Sequence, residues 1–290
     1  MASFLSSLRY LLADFIGEDD GAPPFLPDGL PDEANAIVSD AIHRLMDYQG
    51  ASYAQLYVDR LSRFVGRQDV DAAMFCEIAR LMAARMCYED PIRIAQLKLG
   101  ELDGGSAGAP STDLKKFRLD ELIGSLPAYA AEPVLEALDM VGWRHKRVSI
   151  PFSTASRWGV RRLKLEAGLK RWRQFSTRYE EERLWVERWL HMIARSLAKQ
   201  PAAAPAIVGT ATMIQGYGDV YRQGLADWHA IIDNLAKPTF DGVLPLSDLA
   251  GAIVEARAAA MSDPRQVALK RAIAQTRARA LAAGASAAAE

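Results

Sequence analysis

Cysteine is scarce in this sequence and long apolar runs are missing, and both shortages exclude classes of protein. Cys76 and Cys87 are its two cysteines. On one helix their spacing corresponds to roughly 16 Å, whereas the Cα atoms of a disulfide lie within about 7 Å of each other. We therefore expect two reduced, half-buried thiols, as in a cytoplasmic protein. No apolar run reaches about 18 residues, the length of a membrane-spanning helix, so we expect no membrane partner.

A surplus of one charge sign is also lacking. The 290 residues include 35 Lys and Arg against 36 Asp and Glu, which removes the positive field of a general nucleic-acid binder. The histidines have no His, Cys or carboxylate partner at the spacing of a helical metal site; they are His43, His145, His191 and His229. Hydrophobic residues make up 50%, enough for a large core without metals or disulfides.

The remaining pattern is helical. Strand-like alternation is scarce, and only Arg147 to Phe152 suggests a strand. Almost everywhere else the apolar residues recur with the period of an α-helix. We predict an all-α fold, a multi-helix globular bundle of about ten helices. No internal repeat of about 30 to 50 residues is visible, which argues against a solenoid.

Proline, glycine and charge divide the chain into four predicted segments. Residues 1–17 have the apolar spacing of an amphipathic helix. Residues 18–31 are acidic and hold four prolines, so they predict a linker. Residues 32–283 predict the helical domain, and residues 284–290 a flexible, Ala-rich tail.

Local signals predict several helix boundaries. Asp90 and Pro91 are typical of an N-cap followed by a first-turn proline, and the helix they open is expected to run through Lys98. A loop is expected from Gly100 to Pro110, which is rich in Gly and Ser. Thr177 and Glu180 have capping-box spacing ahead of a long helix whose apolar stripe includes Trp185 and Trp189.

Two short motifs have both a chemical and a structural interpretation. Glu89 and Asp90 could form an acid/base pair, but adjacent helical side chains diverge. Gly216-Tyr217-Gly218-Asp219 could present backbone N–H groups to an anion. Capping statistics favour a helix-ending turn there, with Asp219 as the N-cap of the next helix.

A basic segment runs from Trp143 to Arg173 and holds ten Lys or Arg against one Glu. It could bind RNA, an anionic ligand or an acidic protein face. Alternatively, it is a solvated helix face whose tryptophans belong to the core. We favour a protein interface because the acidic run Glu180 to Glu182 follows it. The predicted basic surface comprises Arg144, Lys146, Arg147, Arg157, Arg161, Arg162, Lys164, Arg171 and Arg173.

Three separated segments carry a family resemblance. They read DYQ at 47–49 with YAQLYVDRL at 53–61, then MCYEDPIRIAQLK at 86–98, then GYGD at 216–219 with Arg222 and Gly224. In order and spacing they resemble the C-terminal helical domain of the indolepyruvate ferredoxin oxidoreductase beta-subunit family, over about residues 31–270.

The resemblance implies a role in oxidative decarboxylation of aryl 2-oxoacids such as indolepyruvate, with thiamine diphosphate, iron–sulfur clusters and ferredoxin. The sequence departs from the family because the preceding gamma-type module is missing and no Cys-x-x-Cys motif can hold a cluster. Gly50 and Asp227 replace an expected acidic residue and an expected Asn. We therefore expect a cytoplasmic, non-catalytic component whose partners are catalytic subunits of a 2-oxoacid oxidoreductase. Thiamine diphosphate and iron–sulfur clusters are expected on those partner chains, and no cofactor on this one.

Under this hypothesis the motif side chains form a ligand pocket or a subunit contact. These candidates are Tyr48, Gln49, Tyr53, Tyr57, Arg60, Tyr88, Glu89, Arg93, Gln96, Lys98, Tyr217, Asp219 and Arg222. Buried Tyr and Arg are typical of interface cores and of pockets, so both roles remain open. One alternative function is a stand-alone small-molecule or anion-binding protein or enzyme with a Tyr/Arg pocket. Another is nucleic-acid binding through residues 143–173.

Overall fold

The chain is helical over most of its length. The computed structural model describes residues 22–103, 111–126, 128–262 and 265–287. Helices account for 73% of the described residues and strands for 6%, which confirms the predicted fold class. The predicted helix over residues 1–17 lies outside the described residues. Within the described part of the predicted linker, residues 22–30 are non-helical and contain a turn at Asp28 and Gly29.

The α-helices are numbered here in chain order. They are α1 (Asp32–Tyr48), α2 (Ala51–Leu61), α3 (Ala72–Met86), α4 (Pro91–Asp103), α5 (Leu119–Gly124), α6 (Ala128–Met140), α7 (Arg157–Gly168), α8 (Thr177–Lys199), α9 (Ala204–Gly209), α10 (Gly218–Ile231), α11 (Lys237–Phe240), α12 (Leu249–Ser262) and α13 (Val267–Ala287). Three 3₁₀ helices cover Leu169–Phe175, Pro201–Ala203 and Thr210–Met213, and a π-helical turn covers Ile232–Ala236. The strands within the described residues are β1 (Thr112–Arg118) and β2 (Arg147–Ser153).

The described residues form two compact units. The first combines the residues up to Val65 with Ala83–Leu184, and the second combines Gly66–Met82 with the chain from Trp185 onward. The sequence pattern shows no linker at two of these boundaries because they fall inside the continuous helices α3 and α8. The predicted tail boundary at residue 284 also lies within a helix, since α13 extends to Ala287.

Helices α1 and α2 begin the first unit and follow the predicted apolar stripes. The buried side of α1 carries Ala34, Val38, Ala41, Ile42 and Leu45, at the spacing of one helical face. Gly50 joins the two helices with φ 156° and ψ −177°. Glycine adopts this region of backbone space far more easily than other residues. A side chain at position 50, such as the expected acidic residue, would therefore strain this turn.

Helix α4 starts as predicted but ends later. The backbone N–H of Arg93 donates to Oδ1 of Asp90 at 2.6 Å, so Asp90 is the N-cap. The loop predicted to begin at Gly100 is wrong in its first residues, because α4 continues to Asp103. A glycine inside a helix costs only about 1 kcal/mol relative to alanine. The bond from Lys98 Nζ to Glu101 at 2.9 Å spans that glycine within the helix. Residues 104–110 lie outside the described part.

An antiparallel hairpin, β1 with β2, completes the first unit. Its register pairs Phe117 with Val148 and Asp113 with Phe152. Phe117 and Phe152 are buried, and their ring centroids lie 6.2 Å apart. The strand suspected over Arg147–Phe152 is therefore present. Its partner β1 was missed because Lys115 and Lys116 interrupt the alternation of apolar and polar residues.

The start of α8 corrects the predicted capping box. The backbone N–H of Tyr179 donates to the Ser176 hydroxyl at 3.1 Å, which makes Ser176 the cap instead of Thr177. The Thr177 hydroxyl donates to the Gly124 carbonyl at 3.0 Å. Adjacent Ser and Thr are equally good candidates from sequence, and the contact with Gly124 decides between them.

The second unit packs around tryptophan. Trp185, Trp189 and Trp228 are at most 4% exposed, and the ring centroids of Trp185 and Trp228 lie 5.2 Å apart. Trp189 Nε1 donates to the Ile207 carbonyl at 3.2 Å, and Trp228 Nε1 to the Thr210 hydroxyl at 3.0 Å. The predicted apolar stripe of α8 is therefore confirmed. Among the described residues, no helix combines the length and apolarity that crossing a bilayer requires.

Candidate functional site

The tyrosines of the first two motifs meet inside the first unit. The ring centroid of Tyr48 lies 6.0 Å from that of Tyr53 and 5.8 Å from that of Tyr88. Tyr179 on α8 joins them, 5.9 Å from Tyr53. The Tyr48 hydroxyl donates to the Tyr88 carbonyl at 3.2 Å, and the Tyr53 hydroxyl to the Met86 carbonyl at 3.0 Å. These four buried side chains, called the tyrosine cluster below, join the two motifs.

Arg173 also enters the tyrosine cluster, which corrects its prediction as part of the basic surface. Its side chain is 1% exposed. Nε and Nη2 donate to the two carboxylate oxygens of Asp90 at 2.6 and 3.1 Å. Nη1 donates to the Tyr48 carbonyl at 2.7 Å and to Oε1 of Gln49 at 3.1 Å. The guanidinium also lies over the Tyr48 ring, 3.9 Å from its centroid. In a run of cations, sequence gives no sign of which one a 3₁₀ helix directs inward.

Burial sets the ionisation of this cluster. Burial raises the pKa values of Tyr48, Tyr53 and Tyr88 well above the usual 10.0. These phenols are therefore neutral near pH 7 and cannot serve as general bases there. Burial lowers the pKa of Arg173, but Tyr48 and Asp90 raise it by more, and the guanidinium stays protonated. Burial also raises the pKa of the Cys87 thiol to about 11, which makes it a poor nucleophile at neutral pH.

The cluster holds a segment of chain in place. All three guanidinium nitrogens of Arg173 donate hydrogen bonds within the first unit. Nε2 of Gln49 donates to the Lys170 carbonyl at 2.9 Å. Together, Arg173 and Gln49 attach the 3₁₀ helix Leu169–Phe175 to α1 and to the N-cap of α4. The motif side chains bind one another, so their geometry supports a positioning role better than a ligand pocket.

The other candidate residues near the tyrosine cluster either contact neighbouring residues of the first unit or are exposed. Gln96 Nε2 donates to the carbonyls of Asp47 and Tyr48 at 3.2 and 3.3 Å. The Arg93 guanidinium carbon lies 5.7 Å from the Tyr48 ring centroid. Glu89 is exposed whereas Asp90 is buried. The two carboxylates therefore diverge as expected and do not form an acid/base pair.

Three further candidates, Tyr57, Arg60 and Lys98, are buried in the first unit. Tyr57 and Arg60 on α2 are at most 1% exposed, and burial raises the pKa of Tyr57. Lys98 Nζ lies 2.7 Å from Oδ2 of Asp113 and 2.9 Å from Oε2 of Glu101. Lys98 therefore connects α4 to the first strand of the hairpin.

A second buried ion network was missed from sequence. Oε2 of Glu182 accepts from Arg85 at 2.5 Å, and Oε1 accepts from Arg178 at 3.1 Å. Arg178 also lies over the Tyr88 ring at 5.5 Å. The Arg178 and Glu182 spacing of four residues was a usable signal, whereas Arg85 is 97 residues away. Because Glu182 pairs with buried cations, it adds little negative charge to the surface beside the basic segment, contrary to the expectation from the run Glu180 to Glu182.

The third motif lies in the second unit, where backbone conformation and close packing explain why its glycines are needed. Gly216 and Gly218 have φ values of 65° and 72°, which glycine adopts without strain. A Cβ at Gly224 would lie 2.1 Å from the Met213 carbonyl oxygen, so α10 crosses the preceding 3₁₀ helix closely. Asp219 is not the predicted N-cap, because α10 begins at Gly218 with Tyr217 in the cap position. Asp219 is exposed, and Tyr217 and Arg222 are partly buried.

One exposed part of the basic segment lies on α7 and on the 3₁₀ helix after it. Trp158, Leu165, Leu169, Trp172 and Phe175 are 79, 74, 48, 49 and 41% exposed. The interpretation that placed the tryptophans of this segment in the core is therefore wrong. Exposed cations accompany them: Arg157, Arg161, Lys164 and Arg171. These nine residues are called the basic aromatic face below.

The remaining predicted basic residues have local partners or lie on the hairpin. Arg144 pairs with Asp139. Lys146 Nζ lies 4.3 Å from the centroid of the exposed Trp143 ring. Arg162 donates to Glu166 at 2.7 Å. Arg147 is exposed at the start of β2. The predicted basic surface is therefore a set of separate groups, of which the basic aromatic face is the largest.

Comparison with known proteins identifies the family but assigns no activity. Residues 34–234 match DUF6537, a family of unknown function, and the chain belongs to that family. No curated protein and no solved structure matches the chain. Within the part of the chain that the structure describes, no three His, Cys, Asp or Glu side chains are grouped as metal ligands.

Proposed function

We propose that this chain is a non-catalytic helical component of a 2-oxoacid:ferredoxin oxidoreductase of the indolepyruvate type. Its partner chains carry out the oxidative decarboxylation, and they bind the thiamine diphosphate and the iron–sulfur clusters. The complex operates in the cytoplasm. The support from sequence is the resemblance of three separated motifs, two of which build the tyrosine cluster.

The observation that carries the proposal is the basic aromatic face. Exposed Trp and Arg side chains together are typical of the centre of protein interfaces. The tyrosine cluster, by contrast, is buried and hydrogen-bonded, and burial keeps the phenols of Tyr48, Tyr53 and Tyr88 neutral, which does not suit acid/base chemistry. Cys76 and Cys87 are half-buried and form no disulfide, and two thiols do not supply the four ligands that an iron–sulfur cluster takes. These features suit a docking component better than an independent enzyme.

Affinity purification of the full chain from its native host tests this function. We expect a thiamine-diphosphate-binding chain with clustered cysteines to co-purify in fixed ratio, with ferredoxin-dependent oxidation of indolepyruvate in the same fraction. The isolated chain should show no turnover of any keto acid. Absence of such a partner would refute the association, and turnover by the isolated chain would refute the non-catalytic role.

Nucleic-acid binding remains a second candidate because Trp158 is highly exposed between Arg157 and Arg161. Bases stack on such rings, and neighbouring cations attract the phosphates. This function predicts binding of single-stranded RNA that weakens steeply as salt increases. No binding at low salt would exclude it.

A further inference from the structure

The basic aromatic face forms a nearly continuous apolar row along one side of its helices. Trp158 and Leu165 are seven residues apart on α7, which places them on one helical face. Leu165 and Leu169 are neighbours at four-residue spacing. Leu169, Trp172 and Phe175 then follow at three-residue spacing in the 3₁₀ helix, where side chains three apart are eclipsed. The row therefore extends from the first turn of α7 to Phe175.

Four exposed cations lie beside this row. Among the described residues, no carboxylate pairs with Arg157, Arg161, Lys164 or Arg171. Arg162, by contrast, pairs with Glu166 at 2.7 Å. Within the described part of the chain the row therefore carries positive charge without a paired carboxylate, and a covering surface of negative charge would complement it.

The row is supported from beneath. Leu163 is buried on the opposite side of α7, and α7 packs against α4. Arg173 and the Gln49 bond to the Lys170 carbonyl hold the 3₁₀ helix from inside the unit. Because these anchors are buried, little conformational freedom is lost when a partner covers the row. Such preorganisation favours a specific interface.

We propose that the basic aromatic face docks a protein surface in which Asp and Glu side chains surround an apolar centre. Leu165 and Leu169 favour protein over nucleic acid, because bases stack on aromatic rings and leucine offers no such platform. The Trp and Arg side chains are those that dominate protein interfaces. This inference rests on the proposed function for one point, the identity of the partner as a catalytic chain of the oxidoreductase.

Site-specific photocrosslinking in the native host tests the surface directly. The full chain carries the photoreactive residue p-benzoylphenylalanine at position 165, and the control carries it at position 254. Val254 is 57% exposed on α12 in the second unit. We expect position 165, and not 254, to crosslink to a protein peptide rich in Asp or Glu around apolar residues. Crosslinks only to nucleic acid, to lipid, to residues 1–21 of this chain or to a second copy would overturn the proposal, as would none at all.

A charge-reversal experiment is the second test of the docking surface. Arg161→Glu with Lys164→Glu should reduce the crosslink yield at position 165 and the retention of the partner at least tenfold. The matched control, Lys270→Glu with Arg271→Glu, reverses two exposed cations on α13 and should leave both unchanged. All variants alter exposed residues, so their unfolding midpoints should equal that of the parent chain. Equal retention by the two charge-reversed variants would overturn the proposal.

The crosslinking and charge-reversal experiments together distinguish failure of the docking surface from failure of the proposed function. A crosslinked acidic partner that is unrelated to 2-oxoacid oxidation would support the docking surface and refute the proposed function. A 2-oxoacid oxidoreductase that is retained equally by parent and charge-reversed chains would support the function and refute this surface.

Discussion

The six tryptophans divide evenly between the two units and take opposite positions in them. In the first unit, Trp143, Trp158 and Trp172 are 53, 79 and 49% exposed, whereas Trp185, Trp189 and Trp228 of the second unit are 4% exposed or less. The first unit instead buries tyrosines around the ion pair of Arg173 and Asp90. The second unit therefore uses its tryptophans for its own packing, whereas the first unit leaves them exposed.

This contrast implies different sensitivities to substitution. A neutral tryptophan core depends on volume and on two indole hydrogen bonds. A buried ion pair depends on both charges being present, because one alone is left without compensation. Removing volume should therefore damage the second unit most, and removing a single charge should damage the first unit most.

Trp189→Ala is expected to destabilise the second unit by about 3–5 kcal/mol, through lost burial and a residual cavity. It also leaves the Ile207 carbonyl without its indole donor. Trp158→Ala, the exposed counterpart, should change the free energy of unfolding by no more than about 0.5 kcal/mol. Urea unfolding followed by circular dichroism measures both. A similar cost for the two substitutions would remove the contrast between the units.

Arg173→Met should cost the first unit about 3–5 kcal/mol, because Asp90 is then a buried charge without its partner. Adding Asp90→Asn should recover part of this loss, since asparagine is neutral and still caps α4. Arg162→Ala breaks a more exposed pair in the same unit and should cost about 0.5 kcal/mol or less. Chemical unfolding of the parent, Arg173→Met, Asp90→Asn and the double variant gives the coupling between the two side chains. If the double variant is no more stable than Arg173→Met, the ion-pair account is wrong.

Gly224→Ala should destabilise the second unit by about 1–3 kcal/mol, because the new Cβ meets a backbone oxygen that cannot move aside cheaply. Gly100→Ala in the first unit is the matched control. Its Cβ meets nothing within 4 Å, so it should gain up to about 1 kcal/mol from helix propensity. Thermal unfolding of both variants isolates the clash from propensity. Stabilisation by both would show that α10 has room at this crossing.

Sequence periodicity predicted the helices well because their apolar faces are continuous, as in α1 and α8. The N-cap at Asp90 was predictable for a different reason, because an Asp followed by a Pro is a local signal of a helix start. It could not predict that Arg173 is buried, because the neighbouring cations are chemically equivalent until the fold selects one. The ion pair of Arg85 and Glu182 joins residues that are distant in the chain, and no local pattern signals it. Exposure of Trp158 was equally inaccessible, since an apolar residue on a helix usually faces the core.

The smallest expected effects distinguish two hydroxyls within the tyrosine cluster. Tyr48→Phe removes the hydrogen bond to the Tyr88 carbonyl and should cost about 0.5–1.5 kcal/mol. The Tyr88 hydroxyl is buried and has no hydrogen-bond partner among the described residues. Tyr88→Phe should therefore be neutral or stabilising by up to about 1 kcal/mol, because it removes an unsatisfied polar group at nearly constant shape. Urea unfolding at pH 7 compares the two variants. A larger loss for Tyr88→Phe than for Tyr48→Phe would mean that the Tyr88 hydroxyl binds a group outside the described residues.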